Sequence, residues 1–161
     1  METTRGVIWV HSAANVLCPH IEWAISKALG HPVRLLWSAQ PAELGSRRAE
    51  YVWHGPVGTG AALASALRSC ARLRFEVTED PSPSNEGTRW SYTTSLGIHA
   101  AMIGPHGDVV VDEERLRAAL RDESGLRAAI ENLLGNAWDA ELEEFRYAGA
   151  AVPQRWLHAV G

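Results

Sequence analysis

The order of strand-like and helix-like patterns over the first 80 residues most constrains the fold of this chain. Residues 6–12 are rich in β-branched and aromatic side chains that alternate between two faces, which is typical of a strand. Residues 19–29 repeat apolar side chains every three or four positions, as a helix does. The patterns continue as strands at 33–39, 47–54 and 72–79 and a helix at 60–70. This β-α-β-β-α-β order predicts an α+β fold with a ferredoxin-like core.

The second half of the chain adds strands first and helices afterwards. The predicted elements are strands at 89–94, 98–103 and 109–111 and helices at 126–134 and 138–146. A further helix is predicted to begin after Asp112, whose side chain suits the N-cap position. We therefore expect a single α+β domain over residues 1–161. Its core would lie at about 5–80, and two or three extra strands and a helical C-terminal extension would follow at about 88–161.

Large apolar side chains on both faces of the first strand indicate that the sheet is covered on both sides. Ile8 lies on one face of this strand and Trp9 on the other. A ferredoxin-like sheet carries helices on one face only, and a wide bare aromatic surface is unusual on a monomer. Either the C-terminal helices or a second subunit could cover the other face, and we expect the helices to cover most of it. The tail at residues 153–160, with Trp156, is too apolar to be a free end.

Charge and motif content argue against several classes of protein. A formal net charge of -4 at pH 7 and the lack of a basic stripe argue against nucleic-acid binding. No apolar run has the length of a membrane span or of a signal peptide, which predicts a cytoplasmic protein that binds no membrane. The histidines form no HxxxH or HExxH pair and the cysteines no CxxC pair, so no metal site and no cofactor are predicted. The loop at residues 58–60 offers N–H groups to an anion but lacks the lysine of a P-loop.

Cys18 is the best candidate for a reactive group. Pro19 favours the first helical position, which would place Cys18 at the N-cap, where the helix dipole stabilises a thiolate. His20 follows two residues later, and His11 ends the preceding strand, so either imidazole could act as a base. The same residues also fit a small packed cysteine beside two polar histidines. One alternative function is therefore a small cysteine-dependent transferase or hydrolase.

One helix face is a candidate binding surface. His20, Trp23 and Lys27 follow i, i+3, i+7 on the predicted first helix and project away from its apolar stripe. A tryptophan opposite the buried face needs another cover, either the protein's own tail or a partner or ligand, since tryptophan is a common binding anchor. Trp9 and Trp37, two more of the seven tryptophans, belong to the aromatic surface of the sheet and are further candidate binding residues.

Seven short runs along the chain carry a resemblance to a known family. They are RGVIWVHSA, LCPHIEW, LRFEVTE, SYT, LGI, FRYAG and RWLH. These runs resemble a family of small actinobacterial proteins defined only as a domain of unknown function, family 3145. The resemblance covers nearly the whole chain and implies no established activity. The family's genes tend to lie near those of type II fatty-acid synthesis and acyl-CoA carboxylation, which implies an accessory or regulatory role there. Ile98-His99 departs from related sequences, which often carry an aromatic residue at this point.

These observations predict a non-catalytic binding or regulatory protein. The face of His20, Trp23 and Lys27, together with the aromatic surface, would engage a protein partner or a small acyl-type ligand. The resemblance adds an expected link to fatty-acid or acyl-CoA metabolism. The alternatives are the Cys18 enzyme and a structural subunit of an obligate oligomer, and the protein is expected to be a monomer or a homodimer.

Overall fold

The computed structural model describes residues 1–149, which form an α+β fold. The strands are β1 (Thr3–Ala14), β2 (Ser38–Ala39), β3 (Ser46–Pro56), β4 (Arg74–Glu79), β5 (Gly87–Thr93), β6 (Gly97–Ile103) and β7 (Val109–Val110). The helices are α1 (Cys18–Leu29), α2 (Thr59–Arg68), α3 (Glu113–Leu120), α4 (Leu126–Leu134) and α5 (Asn136–Tyr147). A short 3₁₀ turn, Asn15–Leu17, leads from β1 into α1. The tail at residues 153–160, with Trp156, lies outside the described residues.

The strands form one sheet in the order β2-β3-β1-β4-β5-β6-β7, and every neighbouring pair is antiparallel. The predicted extra strands extend the sheet beyond β4 as β5, β6 and β7. The three predicted C-terminal helices are present as α3, α4 and α5. Asp112 caps α3 as expected, because its side chain accepts a hydrogen bond from the Arg115 N–H at 2.8 Å. The predicted order of elements is confirmed, and the α+β class with it.

Helices α1 and α2 pack side by side over one face of the sheet. The side chains that meet there are Ile21 and Ile25 of α1, Leu63 and Leu67 of α2, and Ile8, Val10, Phe75 and Val77 of the sheet. Each is almost fully buried, and burial of one such side chain contributes about 1.5–3 kcal/mol. Gly30 ends α1 with a left-handed backbone (φ 77°), which a side chain would strain. Because Ile21 and Ile25 pack in the core, the opposite stripe of α1 faces solvent.

Helix α5 covers part of the second sheet face. Its own Phe145 is buried, and the Nε1–H of its Trp138 donates to the Gly97 carbonyl at 2.9 Å. The Gln40 side-chain amide donates to the carbonyls of His11 (2.6 Å) and Phe145 (3.2 Å), which joins the end of β1 to α5. The expected cover by the C-terminal helices is therefore found over this part of the face.

The strand predicted at residues 33–39 is wrong except for its last two residues, which form β2. The segment before β2 instead bonds to side chains of α1. The Val33 N–H donates to Ser26 Oγ at 2.8 Å, and the Leu35 N–H donates to Glu22 Oε1 at 2.9 Å. Because these donors are satisfied by α1, the backbone needs no neighbouring strand there. Val33 and Leu35 still alternate into the core, which produced the strand-like pattern.

Candidate binding site on helix α1

An open groove of about 650 Å³ follows the outer side of α1. Helix α1 and its C-cap contribute Pro19, Glu22, Trp23, Ser26, Lys27 and Gly30. The segment after α1 forms the other wall with His31, Pro32, Val33 and Arg34. Residues three and four apart share one face of a helix, so the groove follows a continuous stripe of α1 from its first turn to its end.

Trp23 lines the groove and is 59% exposed. The His20 ring stacks on the indole with centroids 5.8 Å apart and an interplanar angle of 21°. The Lys27 Nζ lies 5.2 Å from the ring centroid, within the range of a cation–π contact. The structure therefore brings together the three residues that the i, i+3, i+7 spacing selected. They form an exposed aromatic surface with cationic or titratable groups on both sides.

Glu22 fixes the wall of the groove that faces α1. Its carboxylate accepts hydrogen bonds from the Leu35 N–H at 2.9 Å and the Trp37 Nε1–H at 3.1 Å. Arg34 contributes a third, longer bond of 3.3 Å to the same carboxylate, while its side chain stays 92% exposed. The negative charge of Glu22 is thus directed into the protein, whereas the guanidinium of Arg34 remains open to solvent.

The other two predicted binding residues, Trp9 and Trp37, do not join the groove. Trp37 is partly buried against the core, and its Nε1–H bonds to Glu22. Trp9 lies on the second face of the sheet, is only 2% exposed and borders two smaller cavities of about 350 and 130 Å³. The predicted set of five residues is therefore divided, and only His20, Trp23 and Lys27 share a surface.

Sequence reasoning missed His31 and Arg34 on the second wall of the groove. Both follow Gly30, and a strand prediction covered the segment that begins at Val33, so nothing indicated a turn back toward α1. The only available signal was Glu22, a carboxylate beside the apolar stripe of a helix, which needs donors when it is buried. Those donors come from residues 34–37, and they place this segment beside Trp23.

The residues proposed for thiol chemistry are not assembled into one site. Helix α1 begins at Cys18 with Leu17 in the N-cap position, so the predicted placement of Cys18 is wrong by one residue. Burial raises the pKa of the Cys18 thiol, which is the opposite of activation, and the thiol donates to the Ala14 carbonyl at 3.8 Å. His20 stacks on Trp23, and the His11 Nε2 bonds to a Glu76 carboxylate oxygen at 2.7 Å on the other face of the sheet.

A buried ion cluster on the second sheet face was not predicted. Glu76 is fully buried, and its carboxylate accepts hydrogen bonds from Arg146 and from Ser91 Oγ (3.1 Å) besides the contact with His11. The alternation of side chains along β4 places Glu76 on the polar face of that strand, and in the sheet Glu76 pairs with Trp9 of β1. This alternation does not show that α5 covers Glu76. Its charged groups bind one another, which indicates a structural joint between β1, β4 and α5.

The anion-binding loop at residues 58–60 is filled by the chain's own Glu79, whose carboxylate oxygens accept from the Gly58 N–H (2.8 Å) and the Gly60 N–H (2.7 Å). Over residues 1–149, no group of three histidine, cysteine or acidic side chains is placed to hold a metal ion. In the same range, no helix combines the length and apolar character that crossing a membrane requires.

Comparison with known proteins identifies a family. The family model described as "Protein of unknown function (DUF3145)" matches residues 7–159. The chain belongs to the DUF3145 family. No curated protein and no solved structure matches the chain. Because DUF3145 is described as having an unknown function, the function of this member has to be argued from its own geometry.

In this DUF3145 chain, the α1 groove combines an exposed aromatic ring with cationic side chains. It offers the exposed indole of Trp23, the cations Lys27 and Arg34, and the imidazole of His31, and the His20 ring stacks on the same indole beside it. Cys18, the nucleophile considered for α1, is buried and does not line the groove. Such a surface can hold an apolar group against Trp23 and a negative charge beside it.

Proposed function

We propose that this protein is a non-catalytic binding protein that engages a protein partner or a small acyl-type ligand through the α1 groove. The observation that carries the proposal is the 59% exposure of Trp23, which lines that groove. Tryptophan is among the residues that contribute most to binding when they become fully covered. Covering the exposed part of the indole would contribute about 25 cal/mol for each Å² of apolar surface removed from water.

An accessory or regulatory role in fatty-acid or acyl-CoA metabolism is part of this proposal. It rests on the seven sequence runs that resemble the family, and the groove is compatible with it because an acyl group or its carrier could pack on Trp23. The Cys18 enzyme is the less favoured candidate. Burial raises the pKa of its thiol, and neither histidine considered as a base is bonded to it.

We also assign the first four strands and two helices to a ferredoxin-like arrangement. The spatial order β4-β1-β3-β2, antiparallel throughout, supports this assignment. So does the packing of α1 and α2 on the same sheet face. In this arrangement, the outer stripes of α1 and α2 face away from the sheet and are accessible to other molecules.

Native mass spectrometry of the protein, purified gently from its own host cells, tests the proposed function. The unmodified protein should carry an additional mass from a retained small molecule or protein. Trp23→Ala should keep the circular dichroism spectrum of the unmodified protein, because the indole is mostly exposed, but should lose that mass.

The matched control is Leu44→Ala, which removes a fully exposed apolar side chain that lies in a turn away from the groove. This variant should retain the additional mass. A bare monomer from the unmodified protein, or retention of the mass by Trp23→Ala, would contradict the proposed function.

A further inference from the structure

The α1 groove has the opposite charge to the molecule around it. The chain carries a formal net charge of -4, yet residues 18–37 contain two bases, Lys27 and Arg34, and only one acid, Glu22. Glu22 is buried, and its carboxylate is engaged with the Leu35 N–H, the Trp37 indole and Arg34. The charge presented to a ligand is therefore positive. A positive patch on an acidic protein steers negatively charged partners toward it.

The shape of the groove fits a helix better than a compact small molecule. Its residues on α1 recur at three- and four-residue spacing over the whole helix, which at 1.5 Å per residue spans about 18 Å. The groove is open along this length and leaves Trp23 more than half exposed, whereas sites for small molecules enclose most of the ligand surface. A straight, shallow stripe with one aromatic anchor is typical of helix-in-groove recognition.

We propose that the occupant of the α1 groove is an acidic amphipathic helix of a different protein, an inference that rests on the proposed function. An apolar side chain of that helix packs on the Trp23 indole. Carboxylates one turn to either side pair with Lys27, which lies over the same indole, and with Arg34 on the opposite wall. A second copy of this chain is the less favoured occupant, because two molecules that each carry a net charge of -4 repel each other.

A set of three helical peptides of about 18 residues tests the charge claim. Each carries leucine at i, i+3, i+4 and i+7, and the flanking positions are all glutamate, all glutamine or all lysine. The protein is labelled with 5-fluorotryptophan, and the Trp23 ¹⁹F resonance is assigned by its absence from Trp23→Phe. The glutamate peptide should shift this resonance and bind about five- to tenfold more tightly than the glutamine peptide, as expected for two exposed ion pairs. The advantage should shrink as the NaCl concentration rises from roughly 50 to 500 mM, and the lysine peptide should bind most weakly.

Charge reversal at Lys27 provides the matched comparison. Lys27→Glu should abolish the preference for the glutamate peptide and should improve binding of the lysine peptide. Arg68→Glu reverses a base in the corresponding last turn of α2, away from the groove, and should leave all three affinities unchanged. Both changes are at exposed positions, and circular dichroism confirms that each variant is folded.

Several outcomes would overturn this inference. They are equal binding of the glutamate and glutamine peptides, no shift of the Trp23 resonance with any peptide, and a self-association in sedimentation experiments that Lys27→Glu abolishes. The proposed function is judged separately by the native mass spectra. If Lys27→Glu keeps the retained mass while Trp23→Ala loses it, the groove is a binding site and the acidic helix is the wrong occupant.

Discussion

At the scale of single residues, the buried cluster around Glu76 has the clearest energetic consequence. Burial alone would raise the pKa of the Glu76 carboxyl, but the hydrogen bond and charge of His11 and the Arg146 guanidinium hold it well below its ordinary value of 4.5. Arg146 is itself buried and reaches Asp139 at 2.9 Å at the edge of the cluster. Removing one member of such a set leaves the remaining charges buried without compensation.

Glu76→Gln should therefore lower the free energy of unfolding by about 3–5 kcal/mol at pH 7, because Arg146 keeps its charge and loses its carboxylate. The depressed pKa means that the folded state binds a proton less readily than the unfolded state. The contribution of Glu76 is thus complete above its ordinary pKa of 4.5 and is lost as the pH falls below that value. Urea unfolding should be measured at several pH values for the unmodified protein and for Glu76→Gln. The difference between their free energies of unfolding should narrow below about pH 4.5. A pH-independent difference would contradict this account.

The Cys18 thiol offers a second test at this scale. Because burial raises its pKa and the side chain is only 7% exposed, iodoacetamide should alkylate Cys18 at pH 7 more slowly than it alkylates an unstructured peptide. Alkylation is measured by mass spectrometry after digestion, and in urea the rate should rise to that of the peptide. A native rate faster than that of the peptide would restore the thiol-dependent enzyme as the leading function.

At the scale of elements, Glu22 decides how the segment between α1 and β2 runs. Glu22→Ala removes the acceptor of the Leu35 N–H and of the Trp37 indole N–H, and a buried donor left without a partner costs about 1–3 kcal/mol. Hydrogen exchange of the Leu35 amide should accelerate about tenfold or more, because each 1.4 kcal/mol is a factor of ten. Glu43→Ala removes the more exposed carboxylate paired with Arg74 and is the control that leaves this amide protected. An unchanged exchange rate in Glu22→Ala would show that the core side chains alone hold the segment.

The same elements show what the sequence could reveal. The helical spacing predicted α1 and the neighbourhood of His20, Trp23 and Lys27, since positions three and four apart are fixed by helix geometry alone. The opposite wall of the groove depends on hydrogen bonds between α1 and residues 33–37, which are contacts between elements and leave no periodic signal. Glu76 illustrates the same limit, because a strand pattern shows which face a residue lies on but not which helix later covers that face.

At the scale of the whole molecule, the sheet and its C-terminal helices are joined by contacts far apart in the chain. Arg146 of α5 bonds to Glu76 of β4, and the Arg74 guanidinium lies 4.2 Å from the Phe145 ring centroid. The Arg48 side chain of β3 donates to the Ala148 carbonyl at 2.6 Å. These joints connect two strands of the sheet, β3 and β4, to the end of α5. A molecule joined in this way is expected to unfold as one unit, so the single domain stays a prediction that unfolding experiments can test.

Two tryptophans report separately on the two parts of the molecule. Trp53 is buried in β3 and its Nε1–H donates to the Thr78 carbonyl at 3.2 Å, whereas Trp138 lies in α5 and bonds to Gly97. In the 5-fluorotryptophan-labelled protein, the native ¹⁹F resonances of both should therefore disappear at the same urea concentration. Glu76→Gln should lower both midpoints together, because it weakens the joint that the two parts share. If the Trp138 signal disappears at a lower urea concentration than the Trp53 signal, α5 unfolds separately and the chain is not a single cooperative domain.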